Sequence, residues 1–143
     1  MNNIGSIWNK WDLHFHTPSS FDYKNGSITN EDIVTSLISN NLRLIAVTDH
    51  NSIDRKRIND LRTIAGNNLT ILPGIEVRTG CGTGENIHII GIFPEDVDID
   101  KINRDFLSKG GIDDQRAKKR NDEEIYVNID TAVCLLYTSP SPR

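Results

Sequence analysis

The chain holds four histidines, His14, His16, His50 and His88, and none falls on the periodic face of a helical segment. His14 and His16 form a His-x-His pair in the segment Trp11–His16, which alternates large apolar and polar residues. On a strand, such a pair puts both imidazoles on one face, about 7 Å apart at Cα, close enough to converge on one divalent ion. A hydrogen-bonded pair of surface or core histidines explains the same spacing when it stands alone. Asp12 lies on that face too, where a carboxylate can hold a ring nitrogen of a ligating histidine. Thr48-Asp49-His50 brings a carboxylate and an imidazole to the end of the next apolar run. Glu76 sits inside Ile71-Leu-Pro-Gly-Ile-Glu-Val77, where a carboxylate is costly to bury without a partner. A metal ion is one such partner, and Arg78 is another. Asp22 follows His16 by six residues and reads either as a turn former or as a further ligand. Mixed His and carboxylate sets suit Mn²⁺, Zn²⁺ or Fe²⁺ rather than Ca²⁺.

These residues need elements to hold them. Trp11–His16 reads as a first strand, ended by Thr17-Pro18-Ser19-Ser20. Thr29 with Asp32 has the spacing of a capping box, followed by Ile33, Val34, Leu37 and Ile38 on one helical face and by Asn40-Asn41 as a stop. Leu42–Val47 is a short buried strand. Ser52 is placed to cap a second helix with Ile58, Leu61, Ile64 and Ala65 inward, stopped by Gly66-Asn67. Leu69–Leu72 opens a third strand that runs on through Val77, Asn86–Phe93 is a fourth, and Ile99–Lys109 reads as a helix. Strands alternating with helices predict a parallel sheet and an α/β class. The link between strands three and four is too short for a crossover, so those two are expected to form a hairpin turning near Gly82. That turn would set Glu76 almost opposite His88. In open sheets and barrels of this class, ligands bind at the C-terminal strand ends, where His16 and His50 fall. Gly80-x-Gly82-x-Gly84 has no helix after it and reads as the hairpin turn rather than a phosphate loop. Trp8 and Trp11 are expected to pack at the edge of the first strand.

The 143 residues bound the chain to one domain, 36% hydrophobic, with a net charge of -4. That balance gives no global basic field for nucleic acid. No apolar run approaches the ~18 residues of a membrane helix. No secretory signal opens the chain, and two cysteines make no disulfide framework. A cytoplasmic protein with no membrane partner is expected. The segment 111–133 is charged and gets no assigned structure; its basic run Arg116, Lys118, Lys119, Arg120 reads as a solvated linker. The last ten residues, Cys134–Arg143, match residue for residue the translation of a transposase-type sequencing adapter, so 134–143 is read as a non-native tail.

Four motifs in series then resemble one family. Asp12-Leu-His-Phe-His-Thr17, Thr48-Asp-His-Asn51, Pro73-Gly-Ile-Glu-Val77 and His88-Ile-Ile-Gly91 occur in the order and spacing of the PHP (polymerase and histidinol phosphatase) family. The resemblance implies a distorted (β/α)7 barrel, of which residues 1–110 are the N-terminal part, truncated before its C-terminal strands. It implies a metal-dependent phosphoesterase that hydrolyses phosphoric esters with metal-activated water, and a nuclease among the options. The substrate would be a phosphorylated small molecule or a nucleic-acid end. The cofactors would be two or three divalent ions: Mn, Zn or Fe. By resemblance, His14, His16 and Glu76 ligate one ion and Glu76 bridges to a second held by His88. His50 and Asp22 ligate a third, although the family often carries its Asp one residue earlier, where Phe21 stands. Asp12 and Asp49 resemble catalytic, proton-handling residues.

The family pattern also includes a later histidine and an Asp-x-His, and this chain has no histidine after His88. A full barrel takes about 250 residues. The chain is therefore expected to be a fragment with little turnover alone. Residues Gly5–Tyr23 further resemble a branch in which the domain precedes an AAA- or SMC-like ATPase. The alternative expectation is a non-catalytic metal-binding module that regulates such an ATPase.

Overall fold

The structure is a computed structural model that describes residues 8–80, 86–110 and 127–138. Strand β1 (Lys10–Phe15) leads through a loop to helix α1 (Asn30–Ser39), then strand β2 (Leu42–Val47) and helix α2 (Arg55–Ala65). Strand β3 (Thr70–Gly80), strand β4 (Asn86–Ile92) and helix α3 (Ile99–Gly110) follow. Strand β5 (Val127–Asn128) and helix α4 (Ile129–Thr138) complete the described chain. The fold is mixed α/β, compatible with part of a barrel.

The sheet runs β1-β2-β3-β4, with β5 also paired to β3. β1, β2 and β3 are parallel, because α1 and α2 return the chain each time to the same end of the sheet. β4 is antiparallel to β3, as the short link requires. β3 is long enough to share one edge between two partners. Thr70–Pro73 sits on Leu44–Val47 of β2, and Thr79–Gly80 sits on Val127–Asn128 of β5.

The α1 start follows its sequence signal. Thr29 Oγ1 accepts from Asp32 N–H at 3.1 Å, and Asp32 Oδ2 accepts from Thr29 N–H at 3.1 Å. Asn41, at φ 62, supplies the left-handed turn that ends it. Ile33, Val34 and Leu37 are buried, each contributing about 1.5–3 kcal/mol. They join Ile45, Val47, Ile58, Leu61, Ile71 and Ile75 in the core between the helices and the sheet. At Gly74 the backbones of β2 and β4 close in. A Cβ there would lie 2.8 Å from Thr48 Cγ2 and 2.9 Å from Gly91 O.

Several expectations are corrected. α2 is capped by Asp54, whose side chain accepts from Arg57 N–H at 2.9 Å, not by Ser52. Ser52 stands in a bend before it, and Asn103 Oδ1 takes the Ile53 N–H at 2.9 Å. Ile64 is 38% exposed, because the buried face of α2 runs through Ile58, Leu61 and Ala65. Trp8 and Trp11, expected to pack the edge of β1, are 93% and 61% exposed. Glu76 pairs with Ile90, and His88 pairs with Arg78, so the hairpin is shifted by two residues from the expected register. The segment 111–133, which had no assigned structure, contains β5 and the start of α4, and its residues 111–126 lie outside the described residues. Beyond these corrections, Cys134–Thr138 of the tail segment continues α4, where Leu135 is buried against the core and Leu136 lies beside Gly91. The turn residues Cys81, Gly82 and Gly84 and the tail residues 139–143 lie outside the described residues.

Among the described residues, no helix is long and apolar enough to cross a membrane.

Candidate metal centre

The site begins with an irregularity in β1. Its ladder to β2 pairs Asp12 with Ile45 and Phe15 with Val47, three steps on one strand against two on the other. A bulge of this kind bends a strand and re-aims its side chains. It falls at Leu13 and His14, just before the chain leaves the sheet at His16. The two imidazoles converge, with ring centroids 5.0 Å apart and Nε2 atoms 3.0 Å apart.

β2 delivers His50 by a second device. Beyond Val47 the chain stays against β3 through an isolated parallel bridge between His50 and Glu76. Asn51 N–H donates to Glu76 O at 2.8 Å, and Glu76 N–H donates to Asp49 O at 3.1 Å. Asn51 takes φ 62 to turn the chain away afterwards.

Glu76 is the centre. Its carboxylate is buried, yet all four histidines reach it. Oε2 lies 2.8 Å from His14 Nε2, 2.9 Å from His16 Nε2 and 3.8 Å from His50 Nε2. Oε1 contacts His88 Nδ1, diagonally across the β3–β4 ladder. Burial alone would raise this carboxyl. Hydrogen bonds from His14 and His88 and the charge of nearby imidazoles outweigh it and hold the group below its ordinary value.

Among the described residues, two groups of three ligand atoms cluster within 4.8 Å of one another: His14, His16 and Glu76, and His16, Asp22 and His50. In the first, the three edges are 2.8, 2.9 and 3.0 Å. Ligand atoms held about 2.1 Å from one ion, at right angles, lie about 3.0 Å apart. An imidazole nitrogen has only one in-plane lone pair or proton. The carboxylate oxygen can accept from both rings, but the two nitrogens, 3.0 Å apart, leave one another no such partner if both carry hydrogen, whereas a cation can take all three atoms at once. The first group fits a divalent ion. In the second, His50 Nε2 lies 3.4 Å from Asp22 Oδ2, and His16 Nδ1 lies 3.6 Å from Asp22 Oδ1. Burial raises the Asp22 carboxyl, but the Ser20 hydroxyl and the His50 and His16 imidazoles hold it below its ordinary value.

The other residues singled out in the sequence are placed differently. His88 reaches the centre through Glu76 and by an edge-on ring contact with His50, centroids 5.8 Å apart: its Nδ1 meets the carboxylate while Nε2 accepts from Arg78 Nε at 3.1 Å. It belongs to neither three-atom group. Asp12 Oδ1 accepts from the backbone N–H of His14 at 3.1 Å, so it shapes the bulge rather than a ring. Asp49 is buried, and its two oxygens accept from Thr17 N–H and Thr17 Oγ1, each at 2.7 Å. It ties the exit of β1 to the exit of β2. Burial pushes its carboxyl up to about 6, against the two hydrogen bonds from Thr17.

No known family profile matches the chain, and no curated protein does. Among solved structures it is similar to an amidohydrolase from Chromobacterium violaceum with bound sulfate and no metal. The identity is 22% over 71% of this chain and 36% of that one, at a TM-score of 0.47. It is also similar to a candidate metal-dependent phosphoesterase from Bifidobacterium adolescentis. There the identity is 16% over 91% of this chain and 44% of that one, at a TM-score of 0.49. The chain thus spans less than half the length of either.

Three residues of the site escaped the sequence reading. Thr17 holds Asp49, as described. Ser20 is buried and contacts His16, Asp22 and the backbone of His50. Phe21 packs its ring on that of His50, with centroids 4.7 Å apart and planes tilted by 39°. The signal available for the first two was the run of hydroxyl residues directly after His16. Nothing in the sequence marked Phe21 as an imidazole neighbour.

Proposed function

We propose that the chain is the N-terminal part of a metal-dependent phosphoesterase of the PHP kind, with its metal centre built on Glu76. The observation that carries this reading is the convergence of all four histidines on one buried carboxylate, none farther than 3.8 Å. A pair of histidines can meet by chance in a core, but a buried carboxylate ringed by imidazoles is a ligand set.

In this reading His14, His16 and Glu76 hold one divalent ion, Mn²⁺, Zn²⁺ or Fe²⁺, and His50 and Asp22 hold a second. When bound, such ions lower the pKa of a coordinated water and take up charge on a phosphoryl oxygen. The chain's own part is positional. The β1 bulge aims His14, the His50–Glu76 bridge fixes the second imidazole, and Asp49 locks the two strand exits together through Thr17. His88 holds Glu76 Oε1 and so orients the carboxylate. Arg78, donating to His88 Nε2, leaves that ring its Nδ1 proton for Glu76. The substrate class in this reading is a phosphoric ester, either a small phosphomonoester or a nucleic-acid end, acted on in the cytoplasm. In the same reading residues 1–110 are the N-terminal part of the domain, and 134–143 is an adapter-derived tail.

The test has two stages. Equilibrium titration of the purified chain with Mn²⁺ and Zn²⁺ should show binding that Glu76→Gln removes. Hydrolysis of bis-p-nitrophenyl phosphate with Mn²⁺ should then appear when the chain is joined to the residues that follow it in the gene. A wild-type chain that takes up neither ion at micromolar concentration defeats the reading.

A further inference from the structure

The two three-atom groups both contain His16, and an imidazole nitrogen has one lone pair to give. Which nitrogen of His16 carries hydrogen therefore decides whether the groups share a ligand. Ser20 bears on that choice. It is 4% exposed, four residues after His16, with three polar partners. Its Oγ lies 2.6 Å from Asp22 Oδ1, 3.2 Å from His16 Nδ1, and 3.5 Å from the His50 backbone nitrogen. A serine hydroxyl has one proton and two lone pairs. The His50 nitrogen can only donate. Asp22, an ionised carboxylate at the shortest distance, can only accept, so the single proton of Ser20 goes there. One lone pair remains, and it faces His16 Nδ1.

We propose that Ser20 is a positioning residue that keeps a hydrogen on Nδ1 of His16, so that only Nε2 of that ring can meet a cation. His16 then serves the group with His14 and Glu76 alone. The group containing Asp22 is left with His50 and Asp22, and Asp22 is coupled to His16 through the Ser20 hydroxyl rather than through a shared ion. Ser20 also spans the chain leaving β1 and the chain leaving β2, so ring orientation and strand spacing are fixed together. The effect on cation binding rests on the metal-centre reading above. The hydrogen on Nδ1 does not, and can be measured without metal.

The experiment uses the full chain with ¹⁵N-labelled histidine. In the metal-free wild type, the Nδ1 resonance of His16 should have the pyrrole-like shift of a protonated nitrogen, whatever the state of Nε2. A pyridine-like shift overturns the proposal and needs no variant to read. Zn²⁺ competition against a chromophoric chelator supplies the second measurement. Ser20→Ala should weaken the first cation roughly ten- to a hundredfold, the range seen when an outer partner of a ligating histidine is lost. Ser20→Thr, which keeps the hydroxyl, should restore affinity to within a few-fold. If both variants stay folded by circular dichroism and Ser20→Thr is as weak as Ser20→Ala, the hydroxyl is not the cause and the proposal fails. If the wild type binds no Zn²⁺, the metal-centre reading fails, and the Nδ1 shift alone decides the role of Ser20.

Discussion

His50 and Glu76 are paired backbone to backbone, across a parallel bridge that lies beyond the last residue of β2. The imidazole and the carboxylate are thus set by the sheet and not by side-chain search. It follows that Glu76→Gln should leave the fold intact while removing cation binding. Loss of an outer partner costs ten- to a hundredfold in affinity, so loss of this central ligand should cost about a hundredfold or more. Zn²⁺ at about 100 times its Kd should stabilise the wild type by about 2.7 kcal/mol, and EDTA should reverse this. Thermal melts of the two proteins with and without Zn²⁺ check both statements.

The two cation groups should be separable by mutation. His14 belongs to the first group and Asp22 to the second. His14→Ala should weaken the tighter site by more than about tenfold. Asp22→Asn, whose amide oxygen can still accept from Ser20, should leave that site within about threefold and remove the weaker one. Calorimetric titration, read for stoichiometry as well as affinity, distinguishes this from a single shared site. A single shared site would lose all binding in either variant.

Asp49 gives a pH dependence with a definite sign. Its carboxyl is raised from 3.8 to about 6 in the folded chain, chiefly by burial. Ionising it costs more in the folded chain than in the unfolded one. The folded chain therefore takes up the proton first as pH falls. The resulting stabilisation is full below about 3.8 and is lost as pH rises through about 6. Asp49→Asn should abolish that slope. Each tenfold difference in proton affinity between the folded and unfolded chain is worth about 1.36 kcal/mol, so the wild-type and variant curves should diverge by about 3 kcal/mol between about pH 4 and 7. Urea denaturation across that range measures it, and parallel curves would contradict the assignment.

Gly74→Ala should destabilise the chain by about 1–3 kcal/mol, because the new Cβ meets backbone and a β-branched side chain that cannot swing aside. The affected contact lies between β2, β3 and β4, two residues before Glu76. Cation affinity should therefore fall in the same variant, whereas a substitution at Gly26, whose Cβ would meet nothing, should change neither. Denaturation midpoints and Zn²⁺ affinities of the two variants provide the comparison.

Much of this architecture could be read from residue types. The capping box at Thr29 and Asp32, the apolar run of β2 and the short link between β3 and β4 each carry a local signal, and each element stands where that signal lies. The cluster of the histidines with Glu76 was legible in outline, because strand ends converge whatever the details of register. What stayed hidden depends on distant contacts. The exact pairing of β3 with β4 is announced by no single residue type, and Glu76 lies opposite Ile90 instead of His88. Ser52 and Asp54 are both competent caps, and the choice of Asp54 is supported by Ser19, 35 residues away, which donates to it at 2.7 Å. β5 is two residues long, too short for any period to show. The β1 bulge breaks the alternation on which the His-x-His geometry was argued, and still brings the rings together.

β2 lies between β1 and β3 in the sheet, and this fixes when the centre can exist. Glu76 and His88 are 12 residues apart and meet as soon as their hairpin closes. His14 and Glu76 are 62 residues apart and never share a ladder. They meet only after β2 has entered between their strands, a contact of high sequence separation and correspondingly slow closure. A chain with β1 undocked still carries half of the ring around Glu76 but has lost both nitrogens of the tightest triangle. Cation uptake therefore discriminates the fully registered sheet from its partly assembled forms, and its rate in a refolding experiment reports the arrival of the first strand.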